Sequence, residues 1–272
     1  MYSVYFLWGY GTIGTMITKK KPEEIERLRK GGRILARILR ETKEYAAVGM
    51  STADLDAYAH ALTLKYGAEP VLLGYHPVFA DFPYPASMCV SVNDTVQHGV
   101  PRGDEYLAEG DLINLDMSIG YEGMIVDSGI TFGLGVITEK EEEFLKVTRE
   151  ALKEGIKAAK PGNRIGDISH AIETHIRRYG FGIVEDLAGH GVGYKVHEEP
   201  MIPNFGKAGT GPAIQVGHVY AIEPITTMGA PDVLYDDEGD GYSIFTQDGS
   251  RSAHFEHTVA ITEKGAEIMT QE

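Results

Sequence analysis

The chain has 272 residues, 43% hydrophobic and 24% charged, a soluble globular composition long enough to bury a large core in one or two domains. Forty acidic against 25 basic residues give a net charge of −15, which argues against nucleic acid or an anionic membrane as a primary partner. The single cysteine, Cys89, excludes an intramolecular disulfide and fits a reducing, cytoplasmic compartment, and no stretch has the roughly 18 apolar residues of a membrane helix.

Residues 1–15 are uncharged and aromatic-rich, without the basic start of a signal peptide. They read as a dispensable extension ahead of a true start at Met16, the alternative being a tail that packs on the surface. From Pro22 the chain becomes regular. Pro22-Glu-Glu-Ile25 opens a helix, with proline at its first turn and acids at the positive end of the dipole. Ile25, Leu28, Ile34, Leu35, Ile38 and Leu39 form its apolar stripe. Ser51-Thr52 caps a second helix carrying Leu55, Ala59, Leu62 and Leu64. Strand-like runs follow. Thr138-Glu-Lys-Glu141 is a capping box that opens a long helix to about Lys160, stopped by Pro161-Gly162. A fourth helix runs from about Ile165 to Tyr179, and more strand-like runs close the chain. Two helices, strands, two helices, strands is a duplication of elements, and the segregation predicts an α+β fold with helices backing an antiparallel sheet.

The chemistry concentrates in the strands. Asp111 to Ile119 alternates, with Asn114, Asp116 and Ser118 on one face, and Met124 to Phe132 reads as the returning strand. A turn centred on Tyr121-Glu122 would set Asp116 directly across from Asp127, roughly 4.5–5.5 Å apart at Cβ, where like charges destabilise a sheet. Two such buried carboxylates need a shared proton or a cation. The alternative is a shifted turn with one aspartate in solvent. His190 lies among Gly189, Gly191 and Gly193, in backbone that can approach closely. Glu223 ends the apolar run Val219–Ile222, and Glu256 interrupts another, Phe255 to Ile261. Singly, each has an ordinary reading as an edge or satisfied core residue. Together, four carboxylates and one imidazole emerging from apolar strands are best explained by a binuclear divalent-metal site.

This set resembles the pita-bread metallopeptidases, and most closely type I methionine aminopeptidases. The matching stretches are Ser91–Pro101 with His98, Gly110–Asp116, Asp127–Phe132, Gly189–Gly193 with His197–Pro200, Ile222–Pro224, and Ser252–Thr258. They keep the family's order and spacing, from about Met16 to the C-terminus. The resemblance implies two pseudo-symmetric halves around one metal site, in a single catalytic domain over residues 16–272. It implies that Asp116 chelates one of two divalent ions (Co, Mn, Fe or Zn), that Asp127 and Glu256 bridge both, and that His190 and Glu223 complete the second. Glu223 would also shuttle a proton, while His98 and His197 would hydrogen-bond the scissile peptide from opposite walls. Without the resemblance, His98 reads as a turn histidine. Tyr75, Cys89 and Tyr242 fall where the family places its methionine pocket.

Three departures concern that pocket: Val196 where phenylalanine is usual, Tyr242 where tryptophan is common, and a longer stretch over 76–86. The implied activity is removal of N-terminal methionine ahead of a small second residue, on peptides and on nascent chains at the ribosome, by a monomer. The competing functions are an X-Pro aminopeptidase or prolidase of the same fold, and an inactive relative acting as a binding module. Prolidase-type members usually carry a long N-terminal domain, inactive relatives usually lose ligands, and type II enzymes carry an insert where His197 and Glu223 are only 26 residues apart.

Overall fold

The computed structural model describes residues 16–77, 80–236 and 239–272. The expectations for residues 1–15 lie outside these. In chain order the elements are α1 (Pro22–Tyr45), α2 (Thr52–Lys65), β1 (Cys89–Val92), β2 (Thr95–Gln97), β3 (Leu112–Tyr121), β4 (Met124–Gly133), α3 (Glu139–Ala158), α4 (Ile165–Arg177), β5 (Gly182–Ile183), β6 (Ala188–Gly191), β7 (Glu198–Pro203), β8 (Val219–Ile222), β9 (Ile225–Thr227), β10 (Val233–Tyr235), β11 (Ile244–Thr246), β12 (Ser252–His254), β13 (His257–Thr262) and β14 (Gly265–Ile268). The four helices appear where sequence places them. The caps at Ser51 and Thr138 form as expected: each hydroxyl accepts from the backbone N–H three residues on, and that residue's carboxylate accepts from the cap's own N–H.

Each helix pair backs its own antiparallel strands. Leu28, Leu35 and Ile38 of α1 pack with Leu55 of α2 and with Leu115, Met117 and Val126 of the β3–β4 hairpin. Phe144 and Leu152 of α3 and Ile168 and Ile172 of α4 pack with Tyr220, Ile222, Val259 and Ile261 of the sheet ordered β14-β13-β8-β6-β7. The duplication of elements is thus a duplication of cores. One expected core residue is misplaced. Leu64 in the last turn of α2 is 57% exposed, because it has rotated off the stripe that buries Leu55, Ala59 and Leu62.

The hairpin register differs from expectation. The turn falls on Glu122-Gly123, both in the left-handed region at φ 49° and 76°, so Tyr121 pairs with Met124, Ser118 with Asp127 and Asp116 with Gly129. The Asn-like tolerance of a two-residue hairpin turn for positive φ, with glycine second, selects this position over Tyr121-Glu122. Each partner moves by two residues, an even number, so the two aspartates stay on one face as diagonal neighbours.

The two halves are stitched where β4 meets β13. The Thr258 hydroxyl accepts from Asp127 N–H at 2.8 Å and donates to Asp127 C=O at 2.7 Å. Ser128 Oγ donates to the Glu256 carbonyl at 2.8 Å, and Glu256 N–H to the Gly129 carbonyl at 2.9 Å. Thr258 is fully buried. Thr258→Val keeps the shape and strands two buried backbone groups, so it should cost about 1–3 kcal/mol. Thr258→Ser should recover most of that, with urea unfolding of the metal-free protein as the measurement.

Candidate metal centre

Register alone places the five expected ligands on two facing surfaces. His190 pairs with Ala221, and Ala221 with Thr258. Glu223 and Glu256 stand two residues beyond Ala221 and Thr258, on the same face as His190. Asp116 and Asp127 share the facing surface of the hairpin, and the β4–β13 stitching brings the two surfaces together. Close strand approach at His190 requires glycine beside it: a Cβ on Gly191 would lie 2.1 Å from the Glu199 carbonyl oxygen.

Asp127, His190 and Glu256 are buried, and each offers a ligand atom within 4.8 Å of the other two. His190 Nε2 lies 3.9 Å from Asp127 Oδ2 and 3.4 Å from Glu223 Oε1. Asp116 adjoins from the cleft wall. The electrostatics have one theme. Burial pushes all four carboxyls up. The charge of Asp127 raises Asp116 and Glu256 further, and Asp116 and Asp127 both raise Glu223. Burial depresses the imidazoles too: His190 despite the nearby Asp127, His98 to about 4, and His197 well below its ordinary value with help from His190 and His98. Burial is the largest cause in each case, and it drives every one of these groups toward its neutral form. Asp127 Oδ1 is buried with no hydrogen-bond partner. An oxygen-rich set with one imidazole and an orphaned carboxylate oxygen suits a divalent cation.

Above these ligands lies a cleft lined by Leu72, Tyr75, Tyr84, Cys89, Val196 and Tyr242, with His98, Asp116, Asp127 and His197 also on its walls. The sequence-predicted site residues therefore all converge. Cys89 pairs with Asp116 across β1 and β3, which sets it on the same face. His98 holds φ at +57°, a left-handed conformation uncommon for a residue with a Cβ. It is a pocket histidine, not merely a turn residue.

The model for metallopeptidase family M24 matches residues 26–263. A curated methionine aminopeptidase of Aquifex aeolicus is 43% identical over 252 residues, covering 91% of this chain and 96% of its own. The chain belongs to the M24 metallopeptidases. The crystal structure of a Thermotoga maritima methionine aminopeptidase superposes with a TM-score of 0.90 at 40% identity, over 94% of this chain and 100% of that one. The expected pita-bread fold is therefore present. A Pyrococcus furiosus prolidase shares the fold more distantly, with a TM-score of 0.73 and 24% identity over 66% of that chain.

Several M24 site neighbours were not legible in the sequence. The buried Gln97 amide draws the Asp116 and Glu223 carboxyls back down. Asn204 Nδ2 donates to the Glu223 carbonyl at 2.9 Å. The Tyr75 hydroxyl meets His197 Nδ1 at 2.9 Å. His254 approaches two of the carboxylates. These contacts join residues that no local pattern links.

Stripping divalent metal with a chelator should abolish peptidase activity, and re-adding it should restore it. Asp127→Ala should cost more activity and more bound metal than Asp116→Ala, since Asp127, not Asp116, groups with His190 and Glu256. Equal activity in dialysed Asp127→Ala and wild type would refute the assignment.

Proposed function

We propose that this chain removes N-terminal methionine from peptides and nascent proteins whose second residue is small. The observation that carries this reading is the position of the five-ligand set at the inner end of an apolar, sulfur- and aromatic-lined cleft, a shape suited to one unbranched apolar side chain with its α-amine directed at the acids. Relatives named methionine aminopeptidase at about 40% identity over most of the chain support it. We assign the activity to residues 16–272 as one unit, acting as a cytoplasmic monomer. Among the described residues, no helix is long and apolar enough to cross a membrane.

Asp116, Asp127, His190, Glu223 and Glu256 would hold two divalent ions, with Co, Mn, Fe or Zn all compatible with this donor set. Such ions supply positive charge that polarises a carbonyl and acidifies water to near-neutral pKa. The remaining chemistry belongs to side chains. Glu223 takes the proton released by the attacking water and delivers it to the leaving amine. With the Tyr75 hydroxyl donating into His197 Nδ1, the ring proton would sit on Nε2, where it would donate to the scissile peptide as charge develops. His98 does so from the opposite wall. Leu72, Tyr84, Cys89, Val196 and Tyr242 enclose the methionyl side chain. The Tyr242 hydroxyl is tied to the Phe82 carbonyl, so its ring is fixed in that wall.

Peptides beginning Met-Ala, Met-Gly or Met-Ser should be cleaved and Met-Lys or Met-Leu cleaved poorly, because a large second side chain would crowd the space between His98 and His197. Preference for Ala-Pro over Met-Ala would transfer the assignment to the X-Pro branch.

His197→Ala should keep its metal content and lose about 10²-fold or more in kcat, the scale of one transition-state hydrogen bond. Metal analysis showing a lost ion would make His197 a ligand instead.

A further inference from the structure

His254 has no role in the chemistry above, yet it stands against two of its carboxylates. It is fully buried, and its Nε2 has no hydrogen-bond partner. That nitrogen lies 3.7 Å from Glu223 Oε2 and 3.9 Å from Glu256 Oε2. Glu223 is thus flanked by two imidazoles: its Oε1 is 3.4 Å from His190 and its Oε2 faces His254. The far side of the His254 ring fixes its tautomer. Nδ1 is 3.4 Å from Asn114 Nδ2. That amide nitrogen is itself identified by the carbonyls of Ile130 and His254, at 3.2 and 3.1 Å, which only accept. An amide nitrogen has no lone pair to accept a proton from Nδ1, so the ring proton is placed on Nε2, directed at the carboxylates.

The backbone is shaped to hold the ring there. Thr131 Oγ1 donates to the His254 carbonyl at 2.7 Å and accepts from its N–H at 3.0 Å. Gly129 leaves the space: a Cβ at that position would lie 2.4 Å from His254 Cε1.

We propose that His254 is a positioning residue of the metal centre, its Nε2–H holding the outer oxygens of Glu223 and Glu256 so that their other oxygens face the cation. The arrangement differs from ligation because a protonated Nε2 has no lone pair to give. Donors behind ligating groups fix their orientation, and their loss costs about 10–100-fold in metal affinity. The proposal rests on reading Glu223 and Glu256 as ligands.

Calorimetric titration of the metal-stripped protein with Mn²⁺ tests it. His254→Leu, which keeps bulk and removes the donor, should bind Mn²⁺ about 10–100-fold more weakly at unchanged stoichiometry. His254→Gln, which restores an N–H, should return affinity to within a few-fold of wild type. Wild-type affinity in His254→Leu would overturn the proposal. So would loss of one equivalent of metal in both variants, which would make His254 a ligand. Absence of Mn²⁺ binding in the wild type would overturn the ligand reading and this proposal with it. Long-range ¹H–¹⁵N imidazole spectra of the wild-type Zn²⁺ form need no variant to fold. They should show His254 protonated at Nε2, and an Nδ1–H tautomer would refute the inference.

Discussion

Four carboxyl groups that repel one another are crowded at the inner end of one cleft, and the surrounding structure is organised around bearing that repulsion. Desolvation and mutual charge both oppose their ionisation. Among the described residues, no lysine or arginine pairs with these acids. The fold fixes the main chain beside them: the Thr258 hydroxyl grips both backbone groups of Asp127, Ser128 holds the Glu256 carbonyl, and Asn204 holds the Glu223 carbonyl. Anchoring the backbone leaves Asp127 Oδ1 without a hydrogen-bond partner. That oxygen is available to a cation, whose binding would relieve the repulsion that the anchors resist.

Much of this was legible because alternation in a strand is robust. Asn114, Asp116 and Ser118 share a face whatever the turn, and an even-numbered shift of register left Asp127 on that face with them. The exact pairing was not legible, since it depended on which two residues accept positive φ. Helix caps were readable for a similar reason: Ser51 with Asp54 and Thr138 with Glu141 are local pairs whose hydrogen bonds need nothing from the rest of the chain. Leu64 is the converse, an apolar residue that the helical period itself sets opposite Leu55, Ala59 and Leu62 and so in solvent.

What escaped the sequence shares one property. Gln97 beside Asp116, Tyr75 on His197 and His254 behind Glu223 and Glu256 act across 19 to 122 residues or across separate strands, and no periodicity encodes such contacts. His254 lay inside a matched motif, but only the space left by Gly129, on another strand, reveals where its ring goes. His98 is the converse case. Its neighbours Gly99 and Pro101 suggest a simple turn, while the fold holds it in a left-handed conformation on the cleft wall. Such conformations cost free energy and persist where packing over-determines them.

The candidate site draws on both copies of the duplicated architecture. Asp116 and Asp127 belong to the hairpin packed on α1, whereas His190, Glu223 and Glu256 belong to the sheet packed on α3 and α4. Neither half alone carries all five candidate ligands, and the β4–β13 seam brings Asp127 within 3.9 Å of the imidazole. A cation bridging the two surfaces would oppose their separation, adding its binding free energy to the native state and not to either separated half. The seam's hydrogen bonds and the ion thus act on the same coordinate. The hydroxyl of Thr258 and the carboxylate of Asp127, one on the backbone side and one on the cleft side of the same residue, hold the two halves at the spacing the chemistry needs.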